Sequence, residues 1–424
     1  MSDLTGFLDS LRGKRILGLN PPVRDFAFFD LWAKPLGLLY ILDRLRDQGN
    51  AVSLVDCVHE AKGQPKTFGR WAPRRYEIKK PEPYKNIPRR YWHFGLNREE
   101  LESRLQSLPR PDVILVTSSM TYWYPGVFWC LGVIHDSMPS VPILLGGAYP
   151  VLCPEHALKS GADYVQTVPM PLPPSMPAMD LYGSLSYGVA LTSTGCPGGC
   201  SYCASRILWP EFRMRDIHDV LNEISMQVGL GAEDIAFYDD ALLADKERRF
   251  LPLCAALRER FPGVRFHTPN GMHVREIDEE CALALFETGF STIRLSLEGT
   301  DPVSFKAGEE KANPQEYAEA VANLRKAGFS SEQIETYVLI GLPGQKIQSI
   351  AETIRFVQSL EGRAKIAQYS PIPGTKLFHG LLPRHPELAR EPLLQNNTVF
   401  APFVSGYVTP EDLQSLKDLA RYPR

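Results

Sequence analysis

The sequence predicts an α/β protein with two successive parts, a doubly wound parallel sheet and a partial (β/α)6 barrel. Three observations carry this prediction. Apolar strands alternate with helical patterns from residue 15 to 167, a proline-rich stretch follows, and a second alternation of six strands continues to about residue 375. The content of 44% hydrophobic and 22% charged residues is typical of a globular protein with a sizeable core.

The first alternation predicts strands at 15–20, 51–56, 112–119 and 141–148, with helices at 36–48, 125–135 and 154–159. Doubly wound sheets bind ligands beyond the carboxyl ends of their strands. Six residues near those ends are therefore candidate ligand contacts: Pro22, Ser118, Ser119, Thr121, Gly146 and Gly147.

A proline-rich stretch then separates the two parts. Pro169, Pro171, Pro173, Pro174 and Pro177 are too closely spaced for a helix or an interior strand, so an extended, semi-rigid connector is expected. The predicted organisation is a first domain at 1–167, a linker at 168–184, a barrel at 185–375 and a C-terminal extension at 376–424.

The second alternation predicts strands at 189–193, 235–238, 264–268, 292–297, 334–339 and 364–369. Barrel chemistry takes place at the carboxyl ends of strands, so functional side chains are expected just after each of them. The extension after residue 375 is expected to close the open side of the barrel, with a short helix near 410–419.

Three cysteines follow the first barrel strand with the spacing CxxxCxxC, at Cys196, Cys200 and Cys203. Three thiolates can ligate three irons of a 4Fe-4S cluster and leave the fourth iron open to another ligand. A half zinc site is the alternative interpretation, but zinc sites need a second ligand pair at matching spacing, which the sequence lacks.

A CxxxCxxC triplet with an aromatic residue before its last cysteine resembles the radical S-adenosylmethionine (radical SAM) superfamily. The resemblance implies a 4Fe-4S cluster whose open iron chelates SAM, and polar or glycine-rich strand ends that contact the rest of SAM. A packed tyrosine and a helix cap remain alternatives for Tyr202 and the aspartate pair. The implied SAM-binding residues are Tyr202, Asp239, Asp240, Asn270, Ser296, Glu298, Ile340, Gly341 and Pro371.

The order of domains, with the phrases at 34–40, 145–147 and 370–375, resembles cobalamin-binding radical SAM proteins. This implies a Rossmann-like, cobalamin-binding first domain that holds cobalamin through the candidate contacts named above. The DxHxxG pattern that supplies a histidine to cobalt is absent, and His59 has the wrong spacing, so any bound cobalt should lack a histidine from this domain.

The resemblance also implies an activity. An electron from a flavodoxin- or ferredoxin-type donor would cleave SAM to a 5'-deoxyadenosyl radical, which removes hydrogen from an unactivated carbon. That carbon would then take a methyl group from methylcobalamin, making the protein a C-methyltransferase. Nothing in the sequence identifies the substrate.

Two other functions remain open. One is a cobalamin-independent radical SAM rearrangement, cyclisation or sulfur insertion. Sulfur insertion would need a second cluster from Cys57, Cys130 and Cys153, but two of these cysteines follow strands about 14 Å apart in a 2-1-3-4-5 sheet, so buried, inert thiols are favoured. The other is a non-catalytic cobalamin sensor or carrier, against which the complete cysteine triplet argues.

An insertion at 62–98 interleaves basic and aromatic residues. Such a pattern can bind nucleic acid, but a net charge of -3 favours a structured loop that braces the domains and helps to cover the cofactor cleft. The acidic start, with Asp3 and Asp9, and the lack of any spanning apolar run predict a cytoplasmic protein without a membrane span.

Overall fold

The computed structural model describes residues 6, 8, 10–28, 32–172, 175–308 and 312–421. The chain divides into two compact units. Unit 1 contains the residues up to 186 together with 387–394, and unit 2 contains 187–386 and the residues from 395 onward. Asp3, Asp9, Pro173 and Pro174, on which two expectations rest, lie outside the described residues.

Unit 1 contains ten strands among its described residues. They are β1 Arg15–Asn20, β2 Val23–Asp25, β3 Ala51–Asp56, β4 Lys62–Pro65, β5 Trp71–Pro73, β6 Arg75–Ile78, β7 Tyr91–Phe94, β8 Val113–Val116, β9 Ile143–Leu145 and β10 Tyr164–Val165. Its described helices are α1 Leu36–Asp47, α2 Cys57–Glu60, α3 Arg98–Gln106, α4 Tyr124–Ser137, α5 Ala148–Leu152 and α6 Pro154–Ala157.

The central sheet of unit 1 is parallel and has the strand order β10-β9-β8-β1-β3. In register, Ile16 of β1 lies beside Val52 of β3 on one side and Val113 of β8 on the other. The chain therefore runs from β1 to one neighbour and returns to the opposite side, as a doubly wound sheet does. Helices cover both faces, which explains why every residue of β8 and β9 is buried.

The predicted insertion folds into strands. β6 and β7 form an antiparallel sheet with β2, the segment that follows β1, and β4 pairs with β5. Its basic side chains stack on aromatic rings: Lys62 lies 4.0 Å from the Trp71 centroid, and Arg75 lies 4.3 Å from that of Trp92. These contacts support the structural interpretation of the insertion, because the basic side chains pack against aromatic rings within the insertion itself.

The second half of the predicted linker packs on α1. The Ser175 hydroxyl donates to the Tyr40 carbonyl at 3.1 Å, and the Ala178 amide donates to the Leu39 carbonyl at 3.1 Å. Residues 175–186 therefore belong to unit 1, so the second half of the expected semi-rigid connector is docked on that unit. Proline content predicts an extended backbone but not what that backbone docks on.

Unit 2 contains nine strands among its described residues. They are β11 Gly188–Ala190, β12 Ser193–Thr194, β13 Arg213–Met214, β14 Asp234–Phe237, β15 Arg265–His267, β16 Met272–His273, β17 Phe290–Glu298, β18 Ile334–Ile340 and β19 Arg363–Gln368. Its described helices are α7 Ser205–Leu208, α8 Ile217–Gly229, α9 Phe250–Arg260, α10 Glu279–Thr288, α11 Pro302–Ala307, α12 Pro314–Ala327, α13 Ile347–Ser359, α14 Lys376–Leu381, α15 Asn397–Val399 and α16 Pro410–Arg421.

The main sheet of unit 2 has the order β11-β14-β15-β17-β18-β19, with β16 paired to β17. These pairings are parallel, which confirms the six strand-helix units of the predicted partial barrel. Helix α12 shows how local sequence sets the boundaries: Asn313 and Glu316 form a capping box at its start, and Gly328 closes it with φ of 118°.

The C-terminal extension is shared between the units. Helix α16 packs on α13 and on the edge strand β19, with a hydrogen bond of 2.7 Å from Gln358 to the Leu419 carbonyl. Residues 387–394 pack instead in unit 1, where the Tyr84 hydroxyl donates to the Leu393 carbonyl at 2.8 Å. In the part of the chain that the structure describes, no helix is both long enough and apolar enough to span a bilayer.

Candidate cluster and cofactor sites

The cysteine loop of unit 2 lies between β12 and β13, which pair as a short antiparallel ribbon. Gly195, the first loop residue, has φ of 78°, and a Cβ there would lie 2.7 Å from the Glu211 carbonyl oxygen. Both facts require glycine. The ribbon and this tight turn therefore fix where the loop begins.

The cysteine sulfurs are held by the loop and its neighbours. The Gly198 amide lies 3.3 Å from Cys196 Sγ and the Ser205 amide 3.4 Å from Cys203 Sγ, while the Cys200 thiol donates to the Gly308 carbonyl at 3.5 Å. Amide donors to sulfur stabilise the thiolate form and tune the potential of an iron-sulfur cluster.

All three cysteines line one cavity of about 160 Å³, together with Arg206 and Lys376. Among the described residues, no three His, Cys, Asp or Glu side chains converge as a single metal ion would require. A cluster takes one thiolate per iron, so its ligands stand farther apart. The cavity therefore fits a cluster better than it fits zinc.

The pKa of the Cys203 thiol is raised to about 11. Although the residue as a whole is exposed, partial burial of the thiol is the main cause, and the nearby Asp240 and the other two cysteines add to it. Without a cluster, Cys203 is therefore protonated at neutral pH. Iron binding must displace that proton.

Asp239 is fully engaged inside the protein. Its buried carboxylate accepts from the Thr192 amide at 3.0 Å, from the Thr192 hydroxyl at 2.6 Å and from the Ser193 hydroxyl at 2.6 Å, and it lies 3.5 Å from Arg249. It joins the end of β14 to the segment that enters the cysteine loop. Asp239 thus positions the loop, and these contacts explain it without a SAM contact.

Asp240 occupies a different environment. It is exposed, and its carboxylate accepts from the Ser205 hydroxyl, two residues after Cys203, at 2.5 Å. The side-chain amide of Asn270 donates to the carbonyls of Tyr238 at 2.9 Å and Asp239 at 3.2 Å. The structure thus brings Asn270 to the end of β14, and Asp240 to the cysteine loop.

Ser296 and Glu298 lie at the carboxyl end of β17. A Cβ on Gly271 would lie 2.2 Å from the Ser296 hydroxyl, so the turn after Asn270 packs directly on Ser296. Glu298 has φ of 65°, an unfavourable conformation for a residue with a Cβ, and strained residues of this kind concentrate at functional sites.

Tyr202 lies near Glu298. Burial, with the charges of Glu298 and Cys200 nearby, raises the pKa of Tyr202 far above its ordinary value. Its buried hydroxyl makes no well-aligned hydrogen bond with the described residues. A strained carboxylate beside a buried hydroxyl is a cradle that a polar ligand such as SAM would fit.

The later turns are packed within unit 2. The Gly341 amide, at φ of 86°, donates to Gln345 at 3.0 Å, and the Ile340 carbonyl accepts from the Tyr369 amide at 2.9 Å. Pro371 is buried. These contacts explain all three residues without a ligand, so their contact with SAM stays a prediction.

Unit 1 has its own cavity, of about 110 Å³, at the carboxyl edge of its sheet. Pro22, Ser118 and Ser119 line it, as the sequence predicts for ligand contacts, and so do Asn20 and Thr117 from the ends of β1 and β8. β1 and β8 are neighbours between which the strand order reverses, and such switch points are where doubly wound sheets bind ligands.

The other three predicted ligand contacts, Thr121, Gly146 and Gly147, are not among the residues that line this cavity. A Cβ on Gly147 would lie 2.0 Å from the Ser118 carbonyl oxygen, and the Ser118 hydroxyl donates to the Gly146 carbonyl at 2.7 Å. Thr121 is buried in the turn that precedes α4. Gly146 and Gly147 therefore support Ser118, and neither they nor Thr121 lines the cavity.

None of the four histidines of unit 1, all within its described part, lines this cavity. Their ring nitrogens contact other groups: Lys34 for His59, Arg24 and the Leu96 carbonyl for His93, the Gly161 carbonyl for His135, and Tyr149 for His156. A corrinoid in this cavity would therefore bind without a histidine on cobalt, as the missing DxHxxG pattern predicts.

The three cysteines of unit 1 belong to its hydrophobic core or pack against it. Cys57 and Cys130 are fully buried, and burial followed by the neighbouring Cys130 thiol raises the pKa of Cys57 well above its ordinary value. Cys153 follows α5, after β9, which lies three positions from β3 in the sheet. This arrangement supports inert thiols.

Sequence reasoning missed several residues that shape the two sites. Arg249 and Ser205 fix the two aspartates in unit 2, and Lys34 lines the cavity in unit 1. Lys34 stands at the start of the phrase at 34–40, just before a predicted helix, but neither fact marks its side chain as a cavity residue. Arg249 lies at the start of α9, where no pattern distinguishes it from a surface arginine.

Comparison with known proteins identifies a domain within unit 2. Residues 191–357 match the family model "Radical SAM superfamily". The chain is 27% identical over 219 residues to an uncharacterized methyltransferase of Pyrococcus horikoshii, a match covering 50% of this chain and 46% of that protein. It is 27% identical over 201 residues to the bacteriochlorophyllide d C-12(1)-methyltransferase of Chlorobaculum tepidum, covering 46% of this chain and 42% of that protein. Each match spans less than half of the relative's length.

Solved structures show the same fold. The radical SAM methyltransferase TsrM of Kitasatospora setae, with cobalamin and a [4Fe-4S] cluster bound, has a TM-score of 0.64 at 14% identity, covering 88% of this chain and 78% of that one. The cobalamin-dependent enzyme OxsB has a TM-score of 0.56 at 13% identity, covering 92% and 57%. A radical SAM domain implies a 4Fe-4S cluster and SAM as cofactors. Residues 191–357 of this chain therefore form a radical SAM domain.

Proposed function

We propose that this enzyme transfers a methyl group to an unactivated carbon of its substrate with the help of cobalamin bound by unit 1. The observation that carries the proposal is the switch-point cavity of unit 1, which is lined by no histidine and occurs in the same chain as the three-cysteine loop. The fold of cobalamin-dependent relatives and the methyltransferase names of two relatives support it.

In unit 2, Cys196, Cys200 and Cys203 would hold the cluster, which supplies the electron that cleaves SAM to a 5'-deoxyadenosyl radical. Asp239 keeps the loop in place by joining β14 to Thr192 and Ser193. Asp240, Asn270, Ser296 and Glu298 are the proposed polar contacts of SAM, and Tyr202, Ile340, Gly341 and Pro371 the proposed contacts of its adenosine part. An external flavodoxin- or ferredoxin-type protein would deliver the electron.

In unit 1, Pro22, Ser118 and Ser119 would contact the corrinoid, with Gly146 and Gly147 behind them and Thr121 nearby. Bound cobalamin would supply the methyl group. The wall of the cavity is largely apolar, with Pro21, Val23, Phe28 and Val127 among its residues. Apolar walls exclude water, which protects reactive carbon centres from side reactions.

The proposal is tested on protein purified without oxygen and supplied with iron, sulfide and hydroxocobalamin. One cobalamin per chain by visible spectroscopy, together with 5'-deoxyadenosine formed from SAM under dithionite, is the expected result. SAM cleavage without stoichiometric cobalamin would refute the methyl-transfer proposal and leave a cobalamin-independent radical SAM reaction. Cobalamin binding without SAM cleavage would indicate a sensor or carrier.

A further inference from the structure

We propose that Asn20 and Thr117 recognise a primary carboxamide in the cavity of unit 1 and thereby select corrinoids with amide side arms over corrinoids with acid side arms. The inference rests on the proposed function, because the corrinoid is the ligand. A cavity of about 110 Å³ is smaller than the space that even a drug-sized molecule needs, so a side arm is the part of a corrinoid that can enter it. The side arms of cobalamin end in carboxamides.

The first argument is the orientation of the Asn20 side chain. Its Nδ2 donates to Asp56 Oδ1 at 2.9 Å. Asp56 is buried, and the Tyr182 hydroxyl donates to its Oδ2 at 2.7 Å. The amides of Val58 and His59 donate to Oδ1 at 3.1 and 3.0 Å. A carboxylate with donors at both oxygens acts only as an acceptor, so the nitrogen of Asn20, and not its oxygen, must face Asp56.

The second argument is the atom that this orientation leaves for the cavity. Asn20 lines the cavity and Asp56 does not, so Nδ2 points away from it and Oδ1 is the polar atom that a ligand meets. Among the described residues, no group donates to this oxygen. An acceptor at the wall of a cavity favours a ligand that donates a hydrogen bond. The nitrogen of a carboxamide does so, and a carboxylate cannot.

The third argument is the neighbouring hydroxyl. Thr117 follows β8, the strand beside β1, and its amide donates to the Leu19 carbonyl at 3.0 Å, so it stands next to Asn20 at the carboxyl edge of the sheet. Thr117 also lines the cavity, and its hydroxyl has no hydrogen-bond partner in the part of the chain that the structure describes. A hydroxyl donates or accepts as its partner requires. It can therefore donate to the oxygen of a carboxamide whose nitrogen donates to Asn20.

The two side chains together match an amide better than an acid. A primary carboxamide has N–H donors for Asn20 and a carbonyl acceptor for Thr117. A carboxylate can only accept, so it would place an acceptor against Asn20 Oδ1. Both oxygens would then lose the hydrogen bonds that water gives them, which weakens binding. The pair therefore favours amidated corrinoids.

The experiment measures corrinoid binding and needs no turnover. Aquocobinamide, whose side arms are amides, and cobyrinic acid, whose side arms are acids, are titrated into wild-type protein, Asn20→Ala, Thr117→Val and the control Thr167→Val. Thr167 is half-buried, follows the edge strand β10 and does not line the cavity. Visible spectra and equilibrium dialysis give the Kd values. The selectivity is the Kd of the acid divided by the Kd of the amide.

We expect the wild type to bind the amide more tightly than the acid. Asn20→Ala should raise the Kd of aquocobinamide about fivefold, the usual size for loss of one neutral hydrogen bond, without raising that of cobyrinic acid. The selectivity therefore falls by at least the same factor. Thr117→Val should weaken both corrinoids alike, because a hydroxyl can donate to either kind of oxygen, and Thr167→Val should match the wild type.

Two controls keep the result specific to Asn20. Lys34 also lines the cavity, but it is present in every variant, so its effect on the acid cancels when variant and wild-type selectivities are compared. Thermal melting checks folding. Asn20→Ser, whose hydroxyl can still donate to Asp56, replaces the alanine variant if the latter does not melt cooperatively.

A selectivity that is the same in the wild type and the Asn20 variant overturns the inference and leaves the proposed function intact. So does tighter binding of the acid by the wild type, or binding of hydroxocobalamin without binding of aquocobinamide. Failure of the wild type to bind hydroxocobalamin overturns the proposed function itself. Cobalamin binding by the wild type therefore distinguishes the two failures.

Discussion

The carboxyl edges of the two sheets prepare their sites in different ways. In unit 2, polar groups bond mainly to one another: Asp239 to Thr192, Ser193 and Arg249, and Asp240 to Ser205. In unit 1, a largely apolar cavity is lined by one basic side chain among the described residues, that of Lys34. A cluster is fixed by a few strong sulfur-iron bonds whose direction must be set in advance, whereas a large organic cofactor is held by shape and a small number of donors.

The largest effect is expected from the cluster ligands. Cys200→Ala should abolish SAM cleavage and remove most of the iron, because the other two thiolates cannot replace the lost ligand. Iron and sulfide analysis and 5'-deoxyadenosine formation measure this. Cys153→Ala, at a half-buried thiol of unit 1, is the control and should keep its iron. Iron loss in the control as well would indicate that Cys153 belongs to a second cluster.

The two neighbouring aspartates should separate stability from binding. Asp239→Asn leaves Arg249, 3% exposed, without its buried carboxylate, and should lower the free energy of unfolding by about 3–5 kcal/mol. Asp240→Asn, at an exposed position, should change stability by less than about 1 kcal/mol and instead raise the SAM concentration needed for cleavage. Thermal melting and SAM titration check the pair. Equal destabilisation of both variants would contradict the assigned roles.

These aspartates also show how far sequence can predict the site. Each strand of both central sheets that local apolar patterns predict is present, because burial between helices leaves a signal within a few residues. The cysteine triplet is equally local. Which of Asp239 and Asp240 turns inward depends on Thr192, 47 residues away in the chain, so the adjacent carboxylates are equivalent in sequence.

The same reasoning applies to unit 1. Pro22, Ser118 and Ser119 were predictable as strand ends, but the pairing of β2 with β7 joins residues about 70 positions apart, and no local pattern shows it. Lys34 lines the cavity because α1, which it precedes, packs beside β1 and β3. Tyr182, which lies after the proline-rich stretch in sequence, packs its ring against Lys34. Such long-range contacts determine which residues line the cavity, and local sequence patterns do not predict them.

The glycine turn of unit 1 offers a test that does not touch the cluster. Gly147→Ala should destabilise unit 1 by about 1–3 kcal/mol, because φ of 96° with ψ of -167° is nearly restricted to glycine and the new Cβ would meet the Ser118 carbonyl oxygen at 2.0 Å. Cobalamin binding should weaken while SAM cleavage persists. Gly132→Ala, at an exposed position of α4 with open space around it, should be neutral or slightly stabilising. Melting temperatures of the two variants decide the matter.

The smallest expected effect is the loss of folding stability that His59, at the edge of the unit 1 sheet, causes at acidic pH. Because the folded pKa of His59 is lowered to about 2, the stability that its neutral form contributes is present above the ordinary histidine pKa and is lost as pH falls below it. In the unfolded chain His59 takes up a proton near pH 6.5. In the folded chain it stays neutral at that pH. At pH 5.5 the loss from this one residue should be about 1.4 kcal/mol relative to pH 8.

Urea unfolding of the wild-type protein and His59→Gln at both pH values measures that loss. The variant should lose about 1.4 kcal/mol less than the wild type on acidification, whereas His379→Gln, at an exposed residue of α14, should follow the wild type. Since a neutral His59 is what accepts the Lys34 proton, an identical acid response in His59→Gln and wild type would mean that the imidazole is protonated in the folded protein. At pH 5.5 the hydrogen bond between Lys34 and His59 would then be absent.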